Sequence, residues 1–273
     1  MTSSKLSNLW TINMKLSYKQ YSEQGSPVLV LHGLFGSQSN WGWHCKQLAK
    51  HFTVYGIDLR NHGDSPHADT MSYPEMAEDV KQLIEELQIA PVSIIGHSMG
   101  GKVGMQLALA APELVAKLIV VDIAPVEYPA KNEGHMRIIQ AMEALPVADL
   151  ESRTQAEADL LESIEDEATR KFILTNLARD AEDQFSWRLN LPVIKAECDV
   201  LRRKLEADKP FLNQVLFVKG AESNYIHARN EAEILDLFPA AGVKIIHEAG
   251  HWVHADKPQT FQKIALDFLL SES

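Results

Sequence analysis

Apolar residues along this chain follow two rhythms. Short, nearly unbroken apolar runs occur at 27–32 (PVLVLH), 52–57 (FTVYGI), 92–95 (VSII) and 117–122 (KLIVVD). A strand with one wet face would alternate, so unbroken runs of Val, Ile and Leu read as strands buried on both faces. A more alternating extended segment, 10–21 (WTINMKLSYKQY), precedes them. Longer amphipathic stretches lie between the runs. The spacing predicts a helix over 74–89, opened by Pro74 in its first turn, and another from Ser98 to about Ala111. Strand followed by helix, repeated, implies a parallel sheet with helices on both sides.

From about residue 126 to 208 the pattern changes. This stretch is acidic and poor in strand-like runs, with apolar positions at helical spacing in 136–145, 157–164, 171–178 and 198–205. A strand, a helix and a strand then resume at 214–218 (QVLFV), 229–238 and 243–247 (VKIIH), and a last helix covers 258–270. The simplest account is an α/β fold, a doubly wound, mostly parallel sheet formed by 1–125 and 209–273, interrupted by an all-helical insertion over 126–208. The insertion follows Asp122 at the carboxyl edge of the sheet, where ligands bind in such folds, and is expected to form a lid. Met136, Ile139, Phe185, Trp187 and Leu191 are candidates for its underside or for packing its helices together.

Composition narrows the class of partner. Of 273 residues, 45% are hydrophobic and 23% charged, enough for a sizeable core. A net charge of −11 argues against a phosphate-tracking basic face, so no nucleic acid is expected as partner. Two cysteines far apart, Cys45 and Cys198, make neither a disulfide framework nor a zinc site and read as thiols of a reducing compartment. The first ten residues carry no long apolar run, and no run reaches membrane-spanning length; a soluble cytoplasmic protein with no membrane contact is the expectation. The sequence leaves oligomeric state open.

The chemistry centres on "IIGHSMGGK", residues 94–102, in which Gly96 and Gly100 flank Ser98. With a strand ending before Ser98 and a helix beginning after it, the serine sits on a very tight, strained turn. Side chains at the flanking positions would collide with strand and helix. The turn thrusts a hydroxyl out at the strand tip, where a base can reach it. A serine nucleophile needs such a base, itself oriented by an acid, in the chain order serine, acid, histidine. His251, after the last strand in "EAGHWVHADKP", is the candidate base; His254 suits packing, and His247 a structural role. The loop after 214–218 reads "KGAESNYI" and holds Glu222 and Ser223 but no aspartate. Asp122, at the end of "LIVVD", is the candidate acid, with Ser223 a hydroxyl helping to orient His251 and Glu222 the competing acid. The backbone amides of Met99 and Leu34 are candidates for binding an oxyanion, Leu34 within "HGLFGS". Phe35 and Trp187 are candidates for the substrate pocket, and His32 for bracing the loop. In "DLRNHGDS", 58–65, Arg60 has Asp58 or Asp64 as possible partners; the competing reading has Arg60 or His62 meeting an anionic substrate tail.

Taken together, "HGLFGS", "DLRNHGDS", "GHSMGG" and "GHWVHADKP", in this order, resemble the α/β-hydrolase superfamily from about residue 25 to the end, insertion excepted. More narrowly, "HGLFGS…NW", "VVDIAP" and the serine of "KGAESNYI" look like the compact YbfF-type bacterial esterases. That resemblance implies hydrolysis of small-molecule carboxyl esters, with acyl-CoA thioesters as a further class. It carries over Ser98, Asp122 and His251 as nucleophile, acid and base, with Ser223 beside the histidine. It also implies a small helical cap and neither metal nor organic cofactor. Ser98 argues against relatives that use an aspartate nucleophile. Perhydrolases, carbon–carbon bond hydrolases and a non-catalytic ligand-binding protein remain as alternatives.

Overall fold

The computed structural model describes residues 14–129, 134–179 and 181–271; residues 10–13 of the first extended segment lie outside them. Seven strands form one sheet: β1 (Tyr18–Gln20), β2 (Pro27–Leu31), β3 (Thr53–Ile57), β4 (Val92–His97), β5 (Val115–Val121), β8 (Val215–Gly220) and β9 (Ala241–Ile246). Their spatial order is β1-β3-β2-β4-β5-β8-β9. Every pairing is parallel except β1 against β3. The unbroken apolar runs pack on both sides, as side chains two apart share a face. Leu29, Leu31, Ile94, Leu118, Val120 and Phe217 join the core with α2 (Tyr73–Leu87), α3 (Met99–Ala110) and α8 (Glu231–Leu237). Val28, Val30, Ile95, Ile119, Val121 and Val218 join the opposite core with α1 (Gly42–Leu48) and α9 (Pro258–Leu270). No helix among the described residues is long and apolar enough to cross a membrane.

Between β5 and β8 the chain leaves the sheet. It forms α4 (Gly134–Ala144), α5 (Arg153–Asp159), α6 (Glu167–Leu174), the antiparallel pair β6 (Leu177–Arg179) and β7 (Phe185–Trp187), and α7 (Leu191–Arg202). The segment is therefore not all-helical. The helix expected over 171–178 stops at Leu174 because Leu177–Arg179 pairs with Phe185–Trp187. Asn176, at the break, turns its amide to donate to Phe35 O at 2.7 Å, a partner 141 residues away. The helix expected over 198–205 begins seven residues earlier, with Pro192 in its first turn, and ends at Arg202, where the chain turns back to pair Leu205 N with Pro125 O at 2.9 Å.

The string 58–65 is structural. Arg60 pairs with neither Asp58 nor Asp64; its Nε and Nη2 donate to the Asp79 carboxylate on α2 at 2.6 and 2.8 Å, both side chains being buried. Asp58 instead accepts the amides of Gln38 and Asp64, at 2.7 and 3.0 Å, and Asp64 pairs with Arg188. The Arg60–Asp79 pair is bidentate and desolvated, so removing one partner strands a buried charge. Asp79→Ala is expected to lower unfolding free energy by about 3–5 kcal/mol. A denaturant titration checks this: a loss below about 1 kcal/mol would place the pair among surface bridges.

Candidate active site

The elbow at the end of β4 has the strained geometry its glycines imply. Ser98 adopts φ 50° and ψ −115°, and its amide donates to Val121 O at 2.9 Å, holding it against the end of β5. A Cβ on Gly96 would stand 2.3 Å from Gly100 O, and one on Gly100 would stand 2.5 Å from His32 O. Only hydrogen fits at either position. Ser98 is the residue before α3, yet its hydroxyl does not cap that helix. A non-glycine residue held in such a region costs about 1–3 kcal/mol, which the surrounding packing sustains.

One strand over, Asp122 follows β5 with φ 52° and is completely buried. Its carboxylate is met by three donors. Gly220 N–H donates to Oδ1 at 3.1 Å, while the Ser223 hydroxyl and His251 Nδ1 both reach Oδ2, the latter at 2.8 Å. Ser223 thus holds the same carboxylate oxygen that holds the imidazole, so help from it in orienting His251 runs through Asp122. Glu222 is exposed. The His251 ring stacks on Tyr225, with centroids 4.0 Å apart and planes 24° apart, and its carbonyl accepts from His97 Nε2 at 2.9 Å. Sequence reasoning missed Tyr225 and His97; no local pattern marks either as a neighbour of His251.

The loop after β2 is braced from below by two buried histidines. His32 donates from Nδ1 to Gly33 O at 2.8 Å and accepts the Leu59 amide on Nε2 at 3.0 Å. His62 donates to Arg60 O at 2.9 Å and accepts the Phe35 amide at 3.3 Å. Each ring needs one bare nitrogen, so each is neutral, and burial pushes their pKa values down to about 4 and about 3. His62 therefore supports the loop and is not exposed to meet an anion.

Leu34, Ser98 and Met99 share a cavity of about 300 Å³. Its remaining wall comes from Tyr73 on α2, Ile123 and Tyr128 after β5, Tyr225, and His135, Met136, Cys198, Asp199, Leu201 and Arg202 of the segment between β5 and β8. The Met99 amide is the first of α3 and has no helical carbonyl behind it. Phe35 and Trp187, expected here, do not line this cavity. Phe35 is buried beneath it, with its ring edge against His135 at 6.0 Å, because its φ of 61° turns it into the core. Trp187 donates to Met142 O at 3.2 Å and packs against the core that the insertion shares with the sheet. Of the other candidates, Met136 lines the cavity, whereas Ile139, Phe185 and Leu191 are buried in the core.

Further in, His97, His254 and His44 are all buried, and burial pushes all three below the usual imidazole pKa. His254 stacks flat on Trp41 at 4.1 Å, the packing role expected of it; His247 is exposed. With His32 and His62, buried His97 and His254 stay neutral in the fold but accept protons once unfolded. The unfolded chain therefore binds more protons below its imidazole pKa of about 6.5, and stability falls as pH drops through that value. His32 and His62 alone cost about 1 kcal/mol each at pH 5.5, so Tm is expected to be at least roughly 5 °C lower at pH 5.5 than at pH 7.5. A flat calorimetric Tm across this interval would contradict the neutral assignments.

A fold with a serine elbow, a buried carboxylate on the next strand and a histidine bonded to it defines a hydrolase-type scaffold. The chain belongs to the α/β-hydrolase family: the model for the alpha/beta hydrolase fold matches residues 26–258. It is 41% identical over 264 residues to the sn-1-specific diacylglycerol lipase ABHD11 of Xenopus laevis, covering 94% of this chain and 84% of that protein. It is 36% identical over 250 residues to Esterase YbfF of Escherichia coli, covering 90% of this chain and 94% of that one. A solved structure titled "Marine microorganism esterase" superposes with a TM-score of 0.92 at 38% identity, over 93% of this chain and 99% of that one.

Proposed function

We propose that this protein hydrolyses carboxyl esters through an acyl-enzyme formed on Ser98. The observation that carries the reading is the 2.8 Å bond from His251 Nδ1 to the buried Asp122 carboxylate, beside the strained serine on the adjacent strand. With its proton on Nδ1, His251 presents a bare Nε2, the atom that takes the Ser98 proton as Oγ attacks the ester carbonyl. The carbonyl oxygen gains negative charge and is received by the amides of Met99 and Leu34, the former also at the positive end of α3. The imidazolium, stabilised by Asp122, returns its proton to the leaving alcohol as the carbon–oxygen bond breaks. Water then repeats the sequence on the acyl-serine and releases the acid.

A thioester carbonyl offers the same atom to Ser98, so acyl-CoA compounds fall within the reading. Residues 126–208 act as a cap, because His135, Met136, Leu201 and Arg202 form one wall of the cavity above Ser98. At about 300 Å³ the cavity lies at the small end of ligand sites, which favours short and medium acyl groups. The two cysteines are free and buried, which fits a reducing cytoplasm. The test combines fluorophosphonate labelling, with the modified residue located by mass spectrometry, and kcat/KM on p-nitrophenyl esters from acetate to decanoate. The name of the Xenopus laevis relative adds diacylglycerols to the panel, and the thioester reading adds acyl-CoA. Stoichiometric labelling at Ser98 and turnover of at least one ester are expected; a folded protein inert to the probe would refute the reading.

A further inference from the structure

Lys102 lies one helical turn beyond Ser98, its amide donating to Ser98 O at 3.1 Å, and its side chain is completely buried. An ammonium in such a place needs strong acceptors. It finds two backbone carbonyls: Nζ donates to Val126 O at 2.9 Å and to Arg203 O at 2.5 Å. Val126 is where the chain departs from the sheet after β5, and Arg203 is where it comes back after α7. The two crossings also bond to each other, Tyr128 N to Arg202 O and Leu205 N to Pro125 O, each at 2.9 Å. Tyr73 and Tyr128, both in the cavity wall, place their rings 5.3 and 5.1 Å from the same Nζ. Tyr73 adds a bond to Leu201 O at 2.8 Å.

We propose that Lys102 is a positioning residue that clasps both crossings of the 126–208 segment to the turn bearing Ser98, and so sets the width of the cavity and the acyl length it accepts. A lysine that merely filled space would not need its Nζ on two carbonyls 77 residues apart in sequence, one on each crossing. Surrounded by tyrosine faces and carbonyls, with the exposed Glu127 as the carboxylate acting on it among the described residues, the ammonium is pushed down to about 7 by burial. That strain is sustained because the group ties three pieces of backbone together.

The acyl-length part rests on Ser98 acting beneath this cavity; the clasp itself does not. Lys102→Met keeps length and volume but removes both donors. The ratio of kcat/KM for p-nitrophenyl octanoate to that for acetate is expected to change at least about tenfold, through KM more than kcat. In the wild-type protein, amide exchange at Tyr128 and Leu205 should be at least about a hundredfold slower than for free amides, and at least about tenfold faster in Lys102→Met. A folded Lys102→Met protein with an unchanged ratio, or with a uniform loss across all chain lengths, overturns the positioning role. Unprotected Tyr128 and Leu205 amides in the wild-type protein overturn the clasp even if Lys102→Met fails to fold. If wild-type Ser98 takes no fluorophosphonate, the functional reading fails separately, and the exchange rates still judge the clasp.

Discussion

Ser98→Ala is expected to leave a folded protein whose ester hydrolysis is lowered by about 10⁶-fold, because the nucleophile, base and acid work as a unit. Stability should change little. The hydroxyl caps no helix, and alanine inherits the same positive φ, so the strain at the elbow is carried by either residue. An unfolding free energy within about 0.5 kcal/mol of wild type is therefore the matching expectation. The measurement is kcat/KM on one good p-nitrophenyl ester beside a denaturant melt. Near-normal turnover by the folded variant would exclude an acyl-enzyme on Ser98.

Asp122→Asn carries the second large effect, about 10⁴-fold in kcat/KM. The carboxylate takes hydrogen bonds from Gly220 N–H on one oxygen and from Ser223 and His251 on the other, and it is closed off from bulk solvent. An amide cannot satisfy all three. With its nitrogen toward Gly220, two donors face each other; with its nitrogen toward His251, the ring must accept on Nδ1 and carry its proton on Nε2, where the lone pair is needed. Either way the imidazolium loses its counter-charge, and a cost of about 1–3 kcal/mol in stability accompanies the loss of rate. Ser223→Ala removes one of the three donors and should cost roughly threefold to tenfold. Glu222→Gln, on an exposed side chain, should stay within about twofold. Measured on one ester, these three variants separate Asp122 from Glu222 as the acid: a crippled Glu222→Gln beside a healthy Asp122→Asn would reverse the assignment.

What the sequence by itself determined is what short-range physics controls. Unbroken Val, Ile and Leu runs placed β2, β3, β4, β5 and β8, because a strand buried on both faces has no position that tolerates water. The elbow was legible for a steric reason, since Gly96 and Gly100 flank a serine where no other side chain fits. Asp122 and His251 were legible as strand-end positions, and the parallel order of the sheet brings both to one edge, where they share a hydrogen bond. Tertiary structure alone decided the rest. Arg60 passes over two nearby aspartates for Asp79, because α2 packs onto that loop and offers a desolvated, bidentate partner. Phe35 and Trp187 turn away from the cavity, and His135, Leu201 and Arg202 enter it, according to how the segment between β5 and β8 sits on the sheet. Helical periodicity shows that a residue is buried but not against what, so the cavity wall could not be read from it. Lys102 makes the same point within the motif itself. Its neighbours in sequence explain its place on α3, but only the meeting of Val126 and Arg203 above it explains why an ammonium is buried there.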